Sequence, residues 1–174
     1  MSDYKQWGIA VTDQTHDWKR DRIGAAERGE NPTVIARMRS GFAVIGDTQF
    51  LPGYCLLLAS PHANHLSDLP FARRSEFLFD MSLLGQAIEI VCRSHGLRRM
   101  NYEILGNTDT YLHAHIFPRY EWEPAEHIGW PVWRYPEEKW TERHFQFSEE
   151  SHGKLKRQIA TQLLALMEQA GAQA

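Results

Sequence analysis

The sequence predicts an antiparallel α+β fold, on three observations. Short apolar runs bounded by turn residues lie at 42–46, 54–59, 101–106 and 111–117, the lengths and flanks expected of strands. Between the second and third runs, Phe77, Met81, Leu84, Ile88 and Val91 recur at helical spacing and form one apolar stripe. The last run alternates strictly: Tyr111, His113, His115 and Phe117 point one way, and Leu112, Ala114 and Ile116 the other. Strands joined by hairpins with a single helix interposed pair antiparallel.

Composition bounds the class. The chain has 174 residues, 43% of them hydrophobic, with a formal net charge of −3, and reads as one domain with room for a core. A near-neutral mixed-charge surface argues against a protein that coats nucleic acid or lies on a membrane. No apolar run reaches the roughly 20 residues that span a bilayer, and the N-terminus lacks a signal-peptide core. Cys55 and Cys92 both sit in apolar surroundings and read as buried free thiols, which fits a cytoplasmic location.

Residues 1–33 form a polar arm containing Trp7, Trp18 and the charged run 17–22, from Asp17 to Arg22, expected to be solvated and packed through its tryptophans. Asn31-Pro32 marks a turn. The strands at 42–46 and 54–59 flank a loop led by Asp47 and closed by Pro52-Gly53. The segment 60–70 holds His62 and His65, and Ser67 or Asp68 is placed to cap a helix over 71–95 that stops at Gly96. The third strand follows, and Asn107 begins a short connection to the histidine strand. Pro118, lacking an N–H, is expected to end that strand's ladder. Beyond Tyr120 an aromatic, proline-rich stretch is extended over a surface, either the site or a partner subunit. A last amphipathic helix with Leu155, Ile159, Leu163 and Leu166 on one face packs on its own domain or on a second copy.

The two imidazoles are the chemical focus. Alternate residues on a strand lie about 6 to 7 Å apart, so His113 and His115 project together from one face. Three readings stand side by side. They are two half-exposed histidines on a sheet, or two ligands to one metal ion. The metal reading needs a third and fourth ligand, and neither cysteine has a partner at metal-ligand spacing. In the third reading a neutral imidazole attacks an electrophile while its neighbour manages charge and protons.

The segment from Asn107 to Tyr120 resembles the signature of the histidine triad (HIT) superfamily, His-φ-His-φ-His-φ-φ with φ apolar. The span 34–120 is similar to the HIT layout, with its Pro-Gly hairpin, histidine segment, helix and asparagine-led connection. The resemblance implies a single HIT-like domain, with 1–33 and 121–174 appended to that core. Members hydrolyse or transfer nucleotides at an α-phosphate. It implies His113 as the nucleophile that forms a nucleotidyl-histidine, with His115 and Asn107 donating to phosphate oxygens. It makes Asp47 the candidate for the ribose hydroxyls, a plain turn-former being the other reading. His65 is the candidate to close over the triad, Thr108 or Thr110 to serve the leaving group, and Arg119 to steer anionic substrate. A surface position is the alternative for His65 and for Arg119. The first triad position departs from the pattern, being Tyr111.

The implied activity is hydrolysis of a nucleoside or dinucleoside polyphosphate, such as diadenosine tetraphosphate, by a homodimer without metal or other cofactor. The alternatives are a nucleotide-binding protein without turnover and a metal-dependent enzyme using His113 and His115 as ligands.

Overall fold

The computed structural model of the chain describes residues 18–172; Trp7 and Asp17 of the N-terminal arm lie outside them. A short α1 (Arg22–Glu27) precedes β1 (Val34–Arg37), β2 (Gly41–Ile45) and β3 (Cys55–Ala59). Then come α2 (Phe71–Cys92), β4 (Leu97–Glu103) and β5 (His113–Tyr120). Two short helices, α3 (Ala125–Ile128) and α4 (Glu137–Thr141), lead to the long α5 (Glu149–Ala172). The strands form one antiparallel sheet in the order β1-β2-β3-β5-β4.

Three strand expectations need correction. β1 was not foreseen, because four residues give too little alternation to read. It is held by its turn: the Asp80 carboxylate of α2 accepts from Ser40 N–H (2.7 Å) and Oγ–H (2.6 Å). β4 starts at Leu97 rather than 101. Its leading Arg98-Arg99 pair reads as loop, but an edge strand with one side in water accommodates charge.

β5 continues through Pro118 to Tyr120. Ala59 N–H donates to the Leu112 carbonyl at 3.0 Å, so the backbone groups of even-numbered β5 residues face β3. Pairing with β3 ends at Cys55–Ile116, and the missing N–H of Pro118 falls beyond it, while β4 pairs on to Tyr120.

The helix expectations hold. α2 runs into a 3-10 turn over Arg93–His95 and stops at Gly96, whose φ of 78° suits a residue without a Cβ. Phe77, Leu84 and Ile88 are buried, while Met81 and Val91 are half-buried. Its cap differs from expectation: the Asp68 carboxylate accepts from His65 N–H (2.9 Å), closing a separate 3-10 turn, and α2 begins after Pro70.

α5 lies against α2 and β1 of its own domain. Burial of Ile159, Leu163 and Leu166 contributes about 1.5–3 kcal/mol each to holding it there. Cys55 and Cys92 are buried and unbridged, and burial raises both thiol pKa values.

Both helices cover one sheet face, where Leu57, Leu112, Ala114 and Ile116 are sealed in the core. The other face carries a different set. α1 packs on it through Ala26 against Phe42, Val44 and Leu58.

Candidate active site

Register builds this second face. Leu58 pairs with His113, Leu56 with both His115 and Val44, and Glu103 with His115 across the other edge of β5. Residues paired across strands share a face, so the apolar floor of Val44, Leu56 and Leu58 lies beside two imidazoles. Over that floor opens a cavity of about 710 Å³, within the range that encloses a nucleotide-sized ligand. Its walls are Asp47 and Thr48 from the β2–β3 loop, Gly106 to Asp109 from the β4–β5 loop, Arg22 from α1, and Trp133, Trp140 and Gln146 from the C-terminal segment. His113 and His115 are only 4% and 9% exposed, yet both line this space.

The hydrogen bonds around the two rings admit one neutral arrangement. His113 Nδ1 lies 2.8 Å from the Tyr111 carbonyl, an acceptor only, so Nδ1–H donates and Nε2 keeps its lone pair. That Nε2 lies 3.0 Å from His115 Nε2. One of the two must carry the proton, so it belongs to His115, whose Nε2–H donates. His115 Nδ1 is then an acceptor, and Tyr54 O–H donates to it at 2.7 Å.

The charge states agree. Burial pushes His115 down to about 3, with His113 a second cause, so it is neutral across the ordinary range. Burial holds the Tyr54 phenol well above its usual value, so it keeps its proton. The chain Tyr54–His115–His113–Tyr111 therefore points every proton towards Tyr111. It leaves the single His113 Nε2 lone pair accepting from His115 Nε2–H at the cavity wall, on a ring polarised through its Nδ1–H.

Tyr111 enters through its main chain. The contact that fixes the His113 tautomer is a backbone carbonyl, which any residue at this position supplies. Its ring lies 5.0 Å from that of His113, and burial, then Asp109, raises its phenol to about 12. At neutral pH the side chain is an O–H donor and not a base.

Aromatic groups wall the opposite end. Trp133 meets His115 edge to face at 4.9 Å and stacks on Trp140 at 5.1 Å, while its Nε1–H donates to Glu103. Tyr54 stacks on Phe117 at 4.0 Å, which fixes the phenol beneath His115. The aromatic segment after Tyr120 thus covers this chain's own cavity.

Of the residues singled out from the sequence, the structure brings together His113, His115, Tyr111, Asp47, Asn107 and Thr108 around one cavity. Thr110 and His65 are exposed and outside its lining. Arg119 is also outside it and is no surface group. It is 3% exposed, and its guanidinium binds Glu123 (2.8 to 3.0 Å), Asn101 Oδ1 and the carbonyls of His127 and Trp130. With every donor engaged, it is a strut under the C-terminal segment rather than a steering charge.

Sequence reasoning missed Tyr54, Arg22, Asp109, Trp133 and Trp140. Tyr54 was legible in principle: it begins the alternation Tyr54, Leu56, Leu58, which places it on the histidine face. Among the described residues no group of three or more His, Cys, Asp or Glu side chains gathers as a metal site, and no helix is long and apolar enough to cross a membrane.

No protein-family model and no curated protein matches the chain. Its fold is shared with solved structures. A histidine triad protein from Marinobacter aquaeolei VT8 superposes with a TM-score of 0.61 at 23% identity, covering 86% of this chain and 94% of that one. A histidine triad (HIT) protein from Sinorhizobium meliloti 1021 gives 0.62 at 20% identity, over 78% and 93%. A hypothetical histidine triad nucleotide-binding protein from Sulfolobus tokodaii strain7 gives 0.60 at 16% identity, over 83% and 91%. The chain has the histidine triad α+β fold.

Proposed function

We propose that the protein hydrolyses a nucleoside or dinucleoside polyphosphate at its α-phosphate, diadenosine tetraphosphate being representative, through a covalent nucleotidyl-histidine on His113. The observation that carries this reading is the directed chain Tyr54–His115–His113–Tyr111, which leaves His113 Nε2 unprotonated beside the cavity, its lone pair held by His115 Nε2–H until substrate displaces that contact. The name of the Sulfolobus neighbour, a nucleotide-binding protein, adds support.

In the first step His113 Nε2 forms a bond to the α-phosphorus as the bond to the leaving oxygen breaks, and the leaving group departs with that electron pair. The positive charge arising on the His113 ring is shared with the Tyr111 carbonyl through Nδ1–H. As His113 Nε2 turns to phosphorus it releases the His115 Nε2–H, which then donates to a non-bridging oxygen. Phosphoryl transfer depends chiefly on such positioning and on donors aimed at the equatorial oxygens. Asn107 and Thr108 supply further neutral donors from the β4–β5 loop. Water then forms a bond to phosphorus as the P–N bond breaks, its electron pair returning to His113 Nε2 and the water's proton leaving to solvent. The nucleoside lies over Val44, Leu56 and Leu58, with its ribose at Asp47. Every step draws on imidazoles and neutral donors, so no metal ion is needed.

A homodimer belongs to the same reading. β4 is an open edge, and α2 exposes Phe71, Leu78, Phe79 and Ile90. Sedimentation at micromolar concentration tests it.

The catalytic reading is tested by rapid quench and mass spectrometry with diadenosine tetraphosphate. The wild type is expected to carry a nucleotidyl adduct on His113. His113→Ala is expected to lose turnover by at least about a thousandfold while still binding AMP. Unchanged turnover in that variant disposes of the proposal.

A further inference from the structure

We infer that Arg22, from the N-terminal segment outside the 34–120 core, is a positioning residue for ribose recognition: it sets the Asp47 carboxylate so that an acceptor site it leaves open meets a ribose hydroxyl. This rests on the proposed ribose role of Asp47.

The geometry is a fork. Arg22 Nη1–H donates to Asp47 Oδ1 at 3.0 Å and Nη2–H to Oδ2 at 2.5 Å. Both residues line the cavity. A carboxylate has two acceptor sites on each oxygen. A guanidinium in this arrangement occupies one on each and fixes the plane of the group. One site per oxygen remains, and these two point outwards on opposite sides of the group, so a ribose meets the carboxylate through one hydroxyl. Without the fork, a side chain on the hairpin loop that is about one-third exposed turns freely.

Arg22 is itself held. Its guanidinium lies 5.1 Å over the Trp18 ring, and its carbonyl accepts from Asn31 Nδ2–H. Ala25 and Ala26 are buried, so α1 is anchored. Lys19 Nζ, 3.9 Å from Asp47 Oδ2, adds attraction without the fork's direction. The charged run 17–22 therefore has a use that its composition does not reveal.

The test compares AMP with 2′-deoxyAMP and 3′-deoxyAMP by titration calorimetry on the full chain, for wild type, Arg22→Gln, Arg22→Lys and Asp47→Asn, the preference being taken against whichever deoxynucleotide wild type binds less tightly. Wild type is expected to prefer AMP by about tenfold or more, the order for a lost hydrogen bond to a charged group. Arg22→Gln is expected to bring the preference close to one by weakening AMP more than that deoxynucleotide. Arg22→Lys, with one point of contact, is expected to fall between. In the Asp47→Asn background, Arg22→Gln is expected to change the preference no further.

A preference that Arg22→Gln leaves intact overturns the inference. So does tighter AMP binding in that variant, which would mean that arginine competes with ribose for the carboxylate. Should Arg22→Gln fail to fold, as circular dichroism would reveal, the Arg22→Lys comparison carries the test: an undiminished preference there overturns it. Failure of wild type to bind AMP at all is a different result and removes the nucleotide reading beneath it.

Discussion

The Nε2 atoms of His113 and His115 face each other at 3.0 Å, and the proton between them belongs to His115. A pair of neutral imidazoles so arranged is a donor beside a nucleophile, and the assignment rests on what lies at either end: the Tyr111 carbonyl and the Tyr54 hydroxyl.

Removing that hydroxyl takes the donor from one end of the chain. Tyr54→Phe keeps the stack on Phe117 but leaves His115 Nδ1 without its donor. Turnover is expected to fall by about ten- to a hundredfold, the range for partners that orient a reactive group, with AMP affinity little changed. Nitrogen-15 shifts are expected to show His115 as the Nε2–H tautomer in both proteins, because His113 Nε2 still accepts from it in the variant, with the Nδ1 resonance moved by loss of its donor. An Nδ1–H tautomer in the wild type contradicts the proton chain.

Acid should unfold the protein partly through His115. Its imidazole is held down to about 3 by burial and then by His113, whereas in the unfolded chain it titrates near 6.5. Between these values the unfolded chain binds more protons. The stabilisation is therefore fully present above about 6.5 and is lost as pH falls towards 3. Urea titrations are expected to lose up to about 1.4 kcal/mol per pH unit in that window from this group. His115→Gln should show a shallower slope, and equal slopes would count against the assignment.

Arg119 should matter for stability and not for substrate encounter. Arg119→Met leaves the Glu123 carboxylate buried beside Tyr120 N–H and Tyr135 O–H with no cation. The expected loss is about 3–5 kcal/mol of unfolding free energy. Below the unfolding midpoint, the salt dependence of kcat/KM should match wild type. A flattened salt dependence would restore the steering role.

His65→Ala is expected to keep kcat/KM within about twofold, as surface changes usually do. The residue is exposed, and its backbone N–H closes a turn on Asp68. A tenfold loss would mean that the 60–70 segment reaches the cavity.

Periodicity carried much of this into view. Leu112, Ala114 and Ile116 lie in the core and His113 and His115 on the opposite face, because the pleat alone fixes that division. The stripes of α2 and α5 were equally legible. What escaped depends on chain partners that no local pattern encodes. β1 is clamped by Asp80 from 40 residues away, and Tyr54 meets His115 across 61. Arg119 looked like a free charge because its carboxylate, only four residues on, reads as another surface group until both are enclosed. Pro118 misled because a missing N–H matters only where a neighbouring strand exists to accept it.

Ala114 sits between the two histidines with its methyl group sealed among core side chains. The spacing of the two imidazoles is therefore governed from the dry side of the sheet. Two added carbons there, as in Ala114→Val, would push on the strand and shift the imidazoles without altering a single polar atom. The geometry of the imidazole pair can thus be tuned through hydrocarbon volume alone.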